Sequence, residues 1–182
     1  MPSGTDTIFF IPKDKVKAGK TVTYGRIVAE IIPQKAETHC TRLTVGGNLI
    51  NLPGDVTIPT EDLITSKLIF NSVLSTKNAK FMCADMANFY LKNLMNRYDY
   101  MKLPLEIIPE EIIQHYNLRN LSHKGFVYMK IQKGMYVLPQ ASKIANDKLK
   151  LHLSKFGYKL SPITPVLWRN KTLPPLIFTG SG

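Results

Sequence analysis

The sequence predicts an α+β fold. Short runs rich in β-branched and aromatic residues alternate with stretches whose apolar residues recur at helical spacing. They follow one another without the strict strand–helix alternation of a parallel α/β sheet. Composition supplies a third observation. The 182 residues are 44% hydrophobic and 20% charged, enough apolar material for a core, which excludes a wholly disordered chain.

Thr7 to Ile11 reads as a first strand, closed by Pro12 and a basic loop with Gly19. From Thr21 to Ile32 the content of Thr, Val and Ile predicts a strand. Pro33 to Glu37 is a polar turn, and Thr38 to Val45 returns as a second strand before Gly46-Gly47-Asn48 turns the chain. The pair forms a β-hairpin over about 21–47 with Arg26 and Arg42 on its strands. Between Asp55 and Thr76, Thr60 is placed to cap a helix, with Glu61 and Asp62 in its first turn and Leu63, Ile64, Leu68, Ile69 and Val73 at helical spacing.

Lys80 to Asp85 is an apolar run ending in a carboxylate, and residues 98–103 read as a strand carrying Tyr98 and Tyr100. Pro109, Glu110 and Glu111 open a short helix to about Tyr116. Gly125 to Gln132 alternates, with Phe126 and Tyr128 on one face and Val127, Met129 and Ile131 on the other. A helix from about Pro139 to Phe156 sets Ile144, Leu149, Leu153 and Phe156 on one side, and Gly157 stops it. The tail with Trp168 and Leu176 to Thr179 is extended.

Lys and Arg number 24 against 13 Asp and Glu, a net charge of +11 that favours polyanions, nucleic acid ahead of anionic membrane. No apolar run approaches the roughly 20 residues of a membrane helix, so no membrane association is expected. Cys40 and Cys83 cannot make a disulfide framework, and no secretory signal is visible, which predicts an intracellular chain, cytoplasmic or nuclear. The four histidines do not combine with the cysteines at zinc-ligand spacing. After Asp147 no acid follows, while Lys148, Lys150, Lys155, Lys159, Arg169 and Lys171 do.

Two segments carry the candidate chemistry. Asp85 ends an apolar strand and is followed by Met86-Ala87-Asn88-Phe89-Tyr90-Leu91. An acid there either binds a cation or caps the next helical turn. The second segment, Lys133-Gly134-Met135-Tyr136-Val137-Leu138-Pro139-Gln140-Ala141-Ser142, carries a strand into a helix through Gly134. It either lays backbone and the Gln140 amide against a nucleotide and template or is an ordinary connection.

In this order and spacing the chain resembles the reverse transcriptase of copia-like retrotransposon polyproteins, from about Gly4 to Thr179. Thr21 to Val28 and Thr41 to Gly47 look like the fingers hairpin. Ala84-Asp85 through Leu91 looks like the first catalytic palm motif. Tyr98 to Met101, Lys133 to Tyr136 and Leu138 to Ala141 match the segments that follow.

The resemblance implies an incomplete RNA-directed DNA polymerase domain over 1–182, with fingers at about 7–79 and a partial palm at about 80–179. It implies an antiparallel sheet with packed helices, as in a right-hand polymerase. Asp85 would be the catalytic, metal-binding carboxylate, with the Met86 carbonyl as a further ligand to Mg²⁺. Tyr90 would pack against the sugar and exclude a 2′-hydroxyl, and Arg42 would hold the triphosphate. Gln140 would line the nucleotide pocket, while Lys133, Gly134 and Lys143 would contact nucleic acid. The partners implied are an RNA or RNA–DNA template–primer and a deoxynucleoside triphosphate, with the oligomeric state left open.

The departures have consequences of their own. Cys40 stands where a basic residue is usual, weakening the triphosphate grip, and Val137, Ser142 and Val166 stand where Gly is common. Val137 falls in a turn that prefers positive φ. Leu176 to Thr179 leads to Gly180-Ser181-Gly182, where the family carries a paired-aspartate motif. One carboxylate does not assemble a two-metal site, so the polypeptide is expected to be inactive alone. The reading from a different class is a non-catalytic, basic nucleic-acid-binding remnant.

Overall fold

Alternation along two neighbouring strands organises the larger part of the molecule. The computed structural model describes residues 5–33, 38–50, 63–79, 86, 88–164, 167–172 and 176–177. In chain order its elements begin with β1 (Ile8–Ile11), β2 (Val22–Ile31), β3 (His39–Val45), α1 (Leu63–Ser75) and β4 (Leu94–Pro104). Then follow α2 (Glu110–His115), α3 (Leu118–Leu121), β5 (Phe126–Lys133), α4 (Pro139–Lys155), β6 (Lys159–Leu160), β7 (Leu167–Arg169) and β8 (Leu176–Ile177). The chain falls into two compact units, Met1–Val56 with Asn88–Ala145 and Thr57–Ala87 with Asn146–Gly182.

In the first unit five strands pair in the order β1-β5-β4-β2-β3. Successive side chains of a strand point to opposite faces. The set Val127, Met129 and Ile131 is fully buried, as is Met101 on the neighbouring strand, with Leu103 nearly so. Over this face pack Ile113 of α2, Leu118 of α3, and Met135, Leu138 and Ala141 around the start of α4. Fully burying a side chain of this size contributes about 1.5–3 kcal/mol relative to leaving it exposed. The buried Thr23 hydroxyl is satisfied, donating to the Gly46 carbonyl at 2.5 Å.

The mixed α+β class is as the sequence predicts. The expected antiparallel sheet needs correction at one seam. β1–β5, β5–β4 and β2–β3 are antiparallel, but β2 and β4 run parallel, with Val22 opposite Tyr100 and Tyr24 opposite Lys102. The long connection from Val45 to Leu94 gives the chain room to re-enter the sheet in the same direction, which a tight turn cannot do. β4 also begins earlier than the aromatic pattern indicates, at Leu94, with an irregular register before Asp99.

The second unit holds β6, β7 and β8 as a small antiparallel sheet. Leu153 from the later part of α4, Tyr158 and Trp168 form its buried cluster, with Leu149 packed against it. Gly157, at φ +78°, turns the chain after α4, and the Asn170 amide donates to the Phe156 carbonyl at 2.7 Å. Phe156, expected on the packed side of the helix, is exposed beyond its end. No residue of α1 is buried. Its predicted start at Thr60, Glu61 and Asp62 lies outside the described residues. Among the described residues no helix is long and apolar enough to cross a membrane.

Candidate nucleotide-binding cluster

Arg42 stands on β3 opposite Val28 of β2, partly exposed. Its guanidinium lies 3.6 Å from the Glu30 carboxylate. A hydrogen bond with the Cys40 side chain, then the Glu30 charge, raises its pKa above the ordinary value and keeps it cationic. Its Cζ is 6.0 Å from the centre of the Tyr136 ring, the outer limit of cation–π attraction. Tyr136 in turn meets Tyr90 edge-on at 5.7 Å, and Tyr90 contacts Phe89 at 5.5 Å. A cation and three rings from β3, the turn before β4 and the turn after β5 thus share one place.

Backbone contacts fix the Tyr90 turn. The Asn93 N–H donates to the Tyr90 carbonyl at 3.0 Å, and the Asn93 amide donates to the Phe89 carbonyl at 2.6 Å. Gly134 ties this turn to the end of β5, donating its N–H to the Asn93 carbonyl at 2.8 Å. A Cβ on Gly134 would stand 2.7 Å from the Tyr90 carbonyl oxygen, so the approach requires glycine. Three positions on, Val137 holds φ at +71° with its side chain exposed. The turn has the positive φ expected of it, although a β-branched residue is strained there.

Gln140 begins α4 almost completely buried. Its amide donates to Asp99 Oδ2 at 2.5 Å, and Arg97 donates to Asp99 Oδ1 at 3.1 Å. Gln140 Oε1 is buried without a hydrogen-bond partner among the described residues. The amide that the resemblance assigns to a nucleotide pocket is therefore engaged by a buried carboxylate from β4. Lys133 donates its ammonium to the Thr5 carbonyl at the edge of the sheet. Lys143 is exposed on α4, and Met86 is exposed. Asp85 lies outside the described residues.

Two participants were not singled out from the sequence. Tyr136 appears there only as part of a motif, yet it bridges Arg42 and Tyr90. Asp99 shares strand parity with Met101 and Leu103, which face the core. That parity is the available signal, because a carboxylate on a core face needs a donor. Arg97 and Gln140 provide two. Among the described residues no group of three His, Cys, Asp or Glu side chains is placed to hold a metal ion. No protein-family model matches the chain, and no curated protein or solved structure matches it either.

Proposed function

We propose that these residues form part of a reverse-transcriptase-like, RNA-directed DNA polymerase domain. In this reading the fingers hairpin and the β5–α4 turn hold an incoming nucleoside triphosphate against a template. One observation carries it. Three segments far apart in sequence, which the resemblance names independently, bring Arg42, Tyr136 and Tyr90 into a continuous set of contacts. Arg42 supplies a charged, forked donor for phosphate oxygens. Tyr90, held by the Asn93 and Gly134 backbone, supplies a fixed wall beside a sugar.

The donors do not fit the Mg²⁺ pair that the family reading implies. Asp99 is occupied by Arg97 and Gln140, which leaves Asp85 as the carboxylate assigned to metal. A two-metal centre needs several carboxylate oxygens at once. Nucleotide and template binding without phosphoryl transfer is thus the activity proposed for this polypeptide alone.

Primer extension on a homopolymer template with Mg²⁺ or Mn²⁺ tests this, alongside equilibrium binding of a deoxynucleoside triphosphate. The expected result is no incorporation, with triphosphate binding that Arg42→Ala weakens about tenfold or more, as for loss of a charge-assisted contact. Template-dependent incorporation abolished by Asp85→Ala would overturn the inactivity. Triphosphate binding indifferent to Arg42→Ala would overturn the site.

A further inference from the structure

The face of the five-stranded sheet opposite the core carries a second arrangement. Here outward-pointing rings and ammonium groups interleave. Lys130 Nζ on β5 lies 4.3 Å from the centre of the Tyr98 ring on β4. Lys102 Nζ on β4 lies 4.7 Å from the centre of the Phe126 ring on β5. Across the other edge of β5, Phe9 of β1 is the register partner of Lys130. Lys130 therefore has an aromatic residue on each flanking strand, Phe9 in register on β1 and Tyr98 diagonally on β4, two residues from its register partner Tyr100.

Exposure and charge make this face suited to a ligand. Phe9 and Tyr98 are 42% and 39% exposed, while Tyr100, the β4 register partner of Lys130, is buried beside them. The exposed rings thus stand on a filled surface. The outward positions of the paired segments of β1, β5 and β4 include no acid, and neither Lys102 nor Lys130 has a carboxylate partner among the described residues. Apolar contact alone would not call for lysines between the rings. Phosphate contact alone would not call for exposed rings.

We infer that this face is a stacking platform for single-stranded nucleic acid, separate from the Arg42–Tyr136–Tyr90 cluster. Unpaired bases stack on Phe9 and Tyr98, and Lys130 and Lys102 follow the phosphates between them. A duplex keeps its base faces to itself and gains only the lysine contacts. The inference rests on the proposed function in one respect, that nucleic acid is the chain's polymeric partner.

The test is fluorescence anisotropy of the whole 182-residue chain with a labelled oligothymidylate of about 15 nucleotides. Phe9→Leu and Tyr98→Leu keep apolar bulk and remove the ring. Each is expected to weaken binding about 5- to 30-fold with no change in salt dependence. Tyr98→Phe retains wild-type affinity, and Lys130→Gln flattens the logarithmic salt slope by about 0.7. Photocrosslinking of an iodouridine-substituted strand to the unmodified chain gives a readout free of folding effects, with crosslinks expected in the peptides of β1 and β4.

Leucine variants that bind like wild type, a duplex that binds as tightly at the same salt, or crosslinks confined to other segments would each overturn the platform. Triphosphate binding by the unmodified chain judges the nucleotide cluster separately, so failure of one reading is distinguishable from failure of the other.

Discussion

Val137 and Gly134 sit three residues apart and make opposite demands on the same turn. A non-glycine residue in the left-handed region costs about 1–2 kcal/mol, and branching at Cβ aggravates the crowding. Val137→Gly is therefore expected to stabilise the chain by about 1 kcal/mol after the entropy of a freer unfolded chain is deducted. A higher urea midpoint with an unchanged slope is the measurement. Gly134→Ala drives a methyl group toward the Tyr90 carbonyl and is expected to cost about 1–3 kcal/mol. On the proposed function, the displaced Tyr90 turn is also expected to weaken triphosphate binding more than a surface alanine elsewhere does, as equilibrium binding would measure. The positive φ at Val137 was legible in the sequence because a turn's geometry depends on a few adjacent residues. The Asp99–Gln140 bond was not, because it joins two elements whose juxtaposition no local pattern encodes.

At the scale of elements, α2 and α3 are held by an ion pair that responds to pH. Arg119 donates to Glu110 at 2.7 Å and Gln114 donates to the same carboxylate at 3.2 Å. The hydrogen bonds from Arg119, then Gln114, depress the pKa of Glu110 below its ordinary value. A depressed carboxylate binds its proton less readily folded than unfolded. Its stabilising contribution is complete above the unfolded value and disappears as pH falls through the folded one. Glu110→Gln is expected to lower the melting temperature slightly at neutral pH, with the difference from wild type shrinking as the pH falls through the depressed range of the folded carboxylate. Strand and helix positions followed from periodicity, as β5 shows with Val127, Met129 and Ile131 fully buried on one face, although Tyr128 of the other face is buried too. Strand direction did not, because a hydrophobic pattern reads the same from either end.

For the whole molecule, charge and acid placement set the expected behaviour. The +11 excess predicts a polyanion partner, and Lys102 and Lys130 beside the sheet's exposed rings are the part of it that the inferred platform would use. The expectation that primer extension fails while binding persists rests on the proposed function, in which Asp85 alone is assigned to metal. Both statements depend on the partition of acids between structure and chemistry. Asp99 is consumed by the core, Glu110 by the α2–α3 pair and Glu30 by Arg42.

The parallel seam between β2 and β4 closes across a long stretch of chain, and the β1–β5 pair closes across a longer one still. The β2–β3 and β4–β5 pairs each close between neighbouring stretches of chain, whereas Val22 and Tyr100 meet across a long loop whose entropy must be lost before the contact is gained. The two hairpins are therefore expected to form before the seam that joins them, which φ-values at Thr23 and Met101 lower than those within β4–β5 would show. On a ribosome, β2 leaves the exit tunnel well before its partner exists and presents an open backbone edge during that interval, a period in which a chaperone or a neighbouring nascent chain can reach it.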